Sequence, residues 1–165
     1  MTTTPVALVT GGTSGIGRAA AAALVDAGFE VIGTGRNTAR ITPRDGVTYL
    51  DLDVTSDASV AALVQQVIQR FGRIDVLVNN AGVGSAGAAE ERSVEQDQGV
   101  FDVNVFGLIR MTKAVLPHMR AQGGGRVITI SSPTIPFDGN MMPAETSCGP
   151  MPSDGATSTS SWPRR

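Results

Sequence analysis

The 165 residues carry 13 Lys and Arg against 15 Asp and Glu, a net charge of −2 with no basic cluster beyond Arg164 and Arg165, which argues against a nucleic-acid partner. The single cysteine, Cys148, excludes an internal disulfide and a cysteine-based metal site, and Met1 to Pro5 lacks the basic-then-apolar pattern of a signal peptide, so the expectation is a reduced, cytoplasmic protein. No apolar run reaches the ~20 residues of a membrane-spanning helix, and the length suits one domain of roughly 100 to 150 residues better than two.

Along the chain, short continuous apolar runs alternate with longer stretches of helical period. Val6 to Val9 is the first run, read as a buried strand, and Ile16 to Ala27 is a helix ended by Gly28. Glu30 to Thr34 and Val47 to Leu52 read as the second and third strands. Asp57 to Phe71 is a helix with Ser56 as its N-cap, because Val60, Leu63, Val64, Val67, Ile68 and Phe71 recur at i, i+3, i+4 spacing. Ile74 to Val78 gives a fourth strand, Val94 to Gln122 one long helix with an irregularity expected near Pro117, and Arg126 to Ile130 a fifth strand. Strands apolar on both faces and separated by helices predict an α/β fold with a mostly parallel sheet covered on both sides.

After Ser132 the composition changes abruptly. Residues 133–165 hold six of the nine prolines, many Ser and Thr, and one branched aliphatic residue, Ile135. Such a segment buries too little apolar area to offset its ordering entropy, so a disordered tail is expected. The expected division is a domain over 1–132 and a Pro/Ser/Thr-biased tail over 133–165.

The stretch most informative about function is "TGGTSGIG", Thr10 to Gly17, between the first strand and the first helix. Gly11 permits a tight turn, Gly15 lets the backbone approach a pyrophosphate, Gly17 allows close helix packing, and the helix start offers free N–H groups to phosphate. The loop lacks the lysine of a P-loop, which disfavours nucleoside triphosphate hydrolysis.

Together with "NNAG" (Asn79 to Gly82), "DLDVT" (51–55), "VNVFG" (103–107) and "GRVITISS" (125–132), this loop resembles the short-chain dehydrogenase/reductase family, in order and position, over residues 5–132. The resemblance implies a Rossmann-type doubly wound parallel sheet, here incomplete at about five strands. It also implies an oxidoreductase that binds NAD(H) or NADP(H) and moves hydride between a secondary alcohol and a ketone. Carried over by position, Gly11, Ser14, Gly15, Ile16 and Gly17 would hold the pyrophosphate, Asp53 and Val54 would border the adenine, and Asn80, Ala81 and Gly82 would line the adenosine side. Asp51 and Asp53 share one face if both lie on the third strand, but they lack the companions a metal site needs, so no metal is expected.

At the end of the second strand, "VIGTGRN" has Gly35 where an acidic residue would accept the ribose 2′-OH of NAD. Arg36 follows and suits a 2′-phosphate, so NADP(H) is expected in preference to NAD(H).

For catalysis, the resemblance implies that Ser132 stabilises the substrate oxygen, with Asn104 as a second member of the set. A Tyr-x-x-x-Lys should follow about a dozen residues later, and it is absent. The only tyrosine is Tyr49, the only lysine is Lys113, and Glu145 and Gly149 stand near the expected positions. Without the supporting cation a carboxylate at 145 is no evident substitute. His118, late in a helix, is assigned no chemistry, and Glu90, Glu91, Glu95 and Asp97 read as the start of the long helix.

This chain is therefore expected to be inactive or nearly so, its tail reflecting a frameshift or a truncated gene. The alternative is a real half-domain that binds a dinucleotide or a partner without catalysis. In relatives the helix at 94–122 often forms a dimer interface, so a homo-oligomer through it is a further expectation.

Overall fold

The computed structural model describes residues 4–84 and 91–131. Five strands form one parallel sheet in the order β3-β2-β1-β4-β5: β1 (Val6–Val9), β2 (Glu30–Gly35), β3 (Val47–Asp51), β4 (Val76–Asn79) and β5 (Arg126–Thr129). Every residue of β1 and β4 is buried, as expected for central strands covered on both faces. Alternation along the strands sorts the core. Val6, Leu8, Ile32 and Leu77 face α2 (Asp57–Phe71) and α4 (Leu108–Ala121), whereas Ala7, Val9, Val31, Val76 and Val78 face α1 (Gly15–Asp26) through Ala21, Leu24 and Val25. This is the Rossmann-type architecture expected from the sequence.

The chain winds from β1 to β2 and β3 on one side, then crosses back so that β4 lies against the other side of β1. The carboxyl ends of β1 and β4 therefore flank a topological switch point, where open α/β sheets bind ligands.

Local signals read from the sequence account for the helices. Ser56 caps α2 by accepting the Ser59 N–H at 3.2 Å, and Val60, Leu63, Val64 and Val67 are its buried face. α3 (Val94–Phe101) opens with a capping box, Ser93 and Gln96 each serving the other's backbone N–H, and Glu95 and Asp97 lie in its first turn. Asp97 also pairs with Arg92. Glu90 lies outside the described residues.

The single helix expected at 94–122 is corrected. It is three pieces: α3, a π-helical segment at Asp102–Gly107, and α4. The irregularity falls at 102–107 and not at Pro117, which lies within α4. Two physical reasons account for this. Gly107 is pressed so closely on Val54 that a Cβ there would come 2.7 Å from Val54 Cγ2, and the widened turn accommodates the contact. Pro117 denies a hydrogen bond only to the Lys113 carbonyl, and both residues are exposed, so water can serve that oxygen. The apolar face of α4, Met111, Val115 and Met119, stays buried throughout.

The third and fourth strands are also offset from expectation, β3 ending at Asp51 and β4 running over Val76–Asn79. Among the described residues no helix is long and apolar enough to cross a membrane. The expected tail at 133–165 lies outside the described residues.

Candidate functional site

The site is built from the loops that leave β1 and β4. Thr10, directly after β1, is buried, and its hydroxyl accepts the backbone N–H groups of Asn80 and Ala81, both at 2.9 Å, while donating to the Val78 carbonyl at 3.3 Å. The Asn80 amide returns the connection, with Nδ2 donating to the carbonyls of Thr10 and Gly11 at 3.0 and 3.2 Å. Gly12 N–H donates to the Thr34 carbonyl at 2.9 Å and so joins the loop to β2. The glycine-rich turn is thereby held by both neighbouring strands.

Two glycines are required by geometry. Gly15 has φ +51, in the left-handed region, and a Cβ there would meet nothing within 4 Å, so its backbone stands open to the cleft. A Cβ on Gly17 would come 2.2 Å from the Gly11 carbonyl oxygen, so only glycine lets α1 pack this close to the turn. Ser14 is the N-cap of α1 and makes no side-chain cap hydrogen bond, and no acidic residue lies in the first turn. The free N–H groups and the positive end of the helix dipole are unopposed there.

On the other wall, Asp53 accepts from the Thr55 hydroxyl at 2.7 Å and the Thr55 N–H at 2.9 Å, and its own N–H donates to Ser59 Oγ at 3.0 Å. Those two Thr55 bonds, then the nearby charges of Arg36 and Arg110, hold its carboxyl below the usual aspartate range. Arg36 is exposed just beyond β2. The pairing of Asp51 and Asp53 on one strand face does not hold, because β3 ends at Asp51. Asp51 turns away to take the N–H and hydroxyl of Thr38, each at 2.7 Å.

All eleven residues proposed from the sequence for a dinucleotide line one cleft of about 600 Å³. The turn contributes Gly11, Ser14, Gly15, Ile16 and Gly17, the loop after β2 contributes Arg36, the loop after β3 contributes Asp53 and Val54, and the loop after β4 contributes Asn80, Ala81 and Gly82. The volume is in the usual range for a ligand pocket.

Asn104 borders the same region from the π-helical segment. Its Oδ1 accepts the Val83 N–H at 2.8 Å and its Nδ2 donates to the Val83 carbonyl at 2.9 Å, so its amide clamps the loop after β4. Ser132 lies outside the described residues. Tyr49 is remote from this chemistry, its ring covering Gly33, where a Cβ would lie 3.0 Å from Tyr49 Cε1. Lys113 and His118 sit on α4.

Sequence reasoning assigned no role to several further residues, among them Thr10, Val83 and Val103. The last two line the cleft, and Thr10 braces it from beneath. The place of Thr10 at a strand end before a glycine-rich turn marks the residue but not its partners, Val103 lies in the quoted "VNVFG" stretch without a role assigned, and nothing in the local pattern marks Val83.

The family described as short chain dehydrogenase matches residues 5–144, beyond the last strand. Among curated relatives, 3-ketodihydrosphingosine reductase of Bacteroides thetaiotaomicron is 42% identical over 127 residues, covering 77% of this chain and 46% of the relative. Among solved structures, a short-chain dehydrogenase from Streptomyces avermitilis superposes with a TM-score of 0.74 at 43% identity, covering 80% of this chain and 50% of that one. Ligand-free aldohexose dehydrogenase of Thermoplasma acidophilum gives 0.71 at 35% identity, with 78% and 49% covered. The chain spans about half the length of the curated relatives it matches. With its glycine-rich turn, parallel sheet and "NNAG" loop all matched, the chain belongs to the short-chain dehydrogenase family.

Proposed function

We propose that the cleft binds a nicotinamide dinucleotide, NADP(H) in preference to NAD(H), and that the protein is an oxidoreductase acting on a small ketone or secondary alcohol. The observation that carries this reading is the convergence, in one cleft at the switch point, of an open glycine turn, an uncapped helix start, Arg36 and the Asp53 to Val54 wall. The cradle fits the group. The backbone at Gly15 and the N–H groups at the start of α1 suit a pyrophosphate, Arg36 suits a 2′-phosphate, and Val54 offers an apolar surface to a base beside Asp53. Asn80, Ala81 and Gly82 would flank the adenosine. The names of two relatives, a ketone-bearing lipid reductase and a sugar dehydrogenase, support the carbonyl and alcohol chemistry.

When bound, the cofactor supplies or accepts the hydride. The chain's own share of catalysis is limited. Ser132 would donate to the substrate oxygen, and Asn104 would keep the loop after β4 in place through Val83. No tyrosine or lysine occurs after Ser132 to carry the proton. Acid/base help of this kind is worth about 10²- to 10⁴-fold, so this 165-residue chain should turn over slowly or not at all. That same sequence fact favours a second reading, a dinucleotide-binding or partner-binding half-domain without catalysis.

Titration of the purified chain with NADPH and NADH, followed by a panel of ketones and secondary alcohols, tests both parts. Saturable binding with NADPH the tighter ligand, and no turnover at rates usual for such enzymes, is the expected result. A chain that binds neither dinucleotide refutes the assignment, and brisk turnover refutes the claim of inactivity.

A further inference from the structure

Arg110 does not line the cleft, yet three segments around the cleft meet at its guanidinium. It is the third residue of α4, just past the π-helical segment, and its side chain is 26% exposed. Nη1 donates to Asp102 Oδ1 at 2.8 Å, and the main-chain oxygens of Asp102 and Val54 each lie 3.4 Å from the same nitrogen. Nε pairs with Asp57 Oδ1 at 3.0 Å. Asp57 opens α2, Asp102 opens the π-helical segment, and Val54 belongs to the loop that lines the cleft.

No one of these contacts decides the matter. The Asp57 side chain is 88% exposed, so that ion pair alone contributes little, and the two carbonyl contacts are long. What matters is that one planar fork reaches all of them, which the single ammonium of a lysine cannot do. The segments it joins are those that shape the cavity. Val54 packs on Gly107 at the end of the π-helical segment, Val103 of that segment faces the cleft, and Asn104 of that segment holds Val83. Loosening the guanidinium would free the adenosine wall from the segment that supports the opposite loop.

We propose that Arg110 is a positioning residue for dinucleotide binding, locking the Val54 wall to the π-helical segment so that the adenosine end of the cleft is formed before ligand arrives. This rests on the cleft being a dinucleotide site. A preformed wall lowers the ordering cost of binding, and that benefit belongs to ligands that touch the wall.

The test compares the full chain with Arg110→Met and Arg110→Lys, measuring affinity for NADPH, for adenosine 2′,5′-bisphosphate and for reduced nicotinamide mononucleotide, which lacks the adenosine. Amide hydrogen exchange over residues 53–56 and 102–107 is followed in parallel. Arg110→Met is expected to weaken NADPH and the bisphosphate about tenfold, as loss of a hydrogen-bonded charge would, and to change the mononucleotide less than about twofold. Exchange should rise in both segments together, and Arg110→Lys should recover part of the loss.

Equal weakening of both fragments, or unchanged affinity for the bisphosphate, would overturn the proposal. If the unaltered chain binds none of the three ligands, the dinucleotide reading falls and the role of Arg110 with it. Normal binding by the unaltered chain beside an unmoved variant removes the role of Arg110 alone. Should Arg110→Met not unfold cooperatively, Asp102→Asn is judged by the same ratio: a smaller selective loss supports the role, and no selective loss refutes it.

Discussion

Single side chains in this cleft divide into those that hold the backbone and those left free to meet a ligand. The Thr10 hydroxyl serves three backbone groups at once, and Asn104 spends one amide N–H and one oxygen lone pair on the Val83 backbone. Arg36 is of the other kind, an exposed cation at the end of β2 beside an aspartate whose charge it helps to stabilise. Replacing it by aspartate removes the charge that suits a 2′-phosphate and supplies a carboxylate that suits a ribose 2′-OH. Arg36→Asp is therefore expected to weaken NADPH by roughly tenfold or more and to reverse the NADPH-to-NADH preference, as read from paired dissociation constants. An unchanged ratio would show that Arg36 is merely a solvated loop residue. The choice of Arg36 could be read from "VIGTGRN" alone, because strand-end position and charge suffice. The work of Thr10 could not, since its partners lie about seventy residues away in sequence.

Secondary-structure elements are joined by a few polar clasps as well as by the core. Asp75, just before β4, accepts the Val6 N–H at 2.8 Å and holds Arg73 through two hydrogen bonds of 2.7 and 2.6 Å, tying the start of β1 to the start of β4. The hydrogen bonds from Arg73 do most to keep the Asp75 carboxyl below the usual aspartate range; burial opposes them, and the Val6 N–H adds a smaller lowering effect. A carboxyl whose folded pKa lies below its unfolded value of about 3.9 stabilises the fold above that pH, and the benefit is lost as pH falls through the folded value. Asp75→Asn, whose amide oxygen can still accept the Val6 N–H, should thus lower stability by about 1 kcal/mol at neutral pH through loss of the charged pair with Arg73, a modest figure because Arg73 is partly exposed. The same variant should flatten the loss of stability below about pH 4 in urea titrations at stepped pH. A variant whose acid limb matches that of the parent would show the clasp to be inert. The π-helical segment at 102–107 teaches a related lesson. The periodicity of residues 94–122 is compatible with an unbroken helix, whereas the widened turn ends at Gly107, where the chain meets Val54 from a distant loop.

Among the described residues, large apolar side chains are exposed on β5 and along residues 94–106. All four residues of β5 are exposed, and Val94 (66%), Phe101 (58%) and Phe106 (52%) stand out from the α3 to α4 side. Val94, Phe101 and Phe106 line one surface hollow, and apolar surface of this kind tends to be covered by association. Sedimentation velocity at increasing concentration is expected to show species larger than the monomer, and Phe101→Ser with Phe106→Ser should shift the population toward monomer with little change in the thermal midpoint. A monomer at every concentration would refute association through 94–122. The cleft and this strip have no lining residue in common, although Val103 of the cleft lies in sequence between Phe101 and Phe106.

The sequence by itself determined the order of strands and helices, the glycine-rich turn and the identity of every residue proposed for the cleft. Each of those is local: apolar period, capping chemistry, and small residues where a backbone must turn or approach closely. Tertiary structure alone decided which segments meet. It set β4 beside β1 and made the cleft at their carboxyl ends, turned Asp51 toward Thr38, opened the helix at 102–107, and gathered Asp57, Val54 and Asp102 on Arg110. Contacts of that kind depend on how far the chain has folded back on itself, and no window of neighbouring residues encodes that distance.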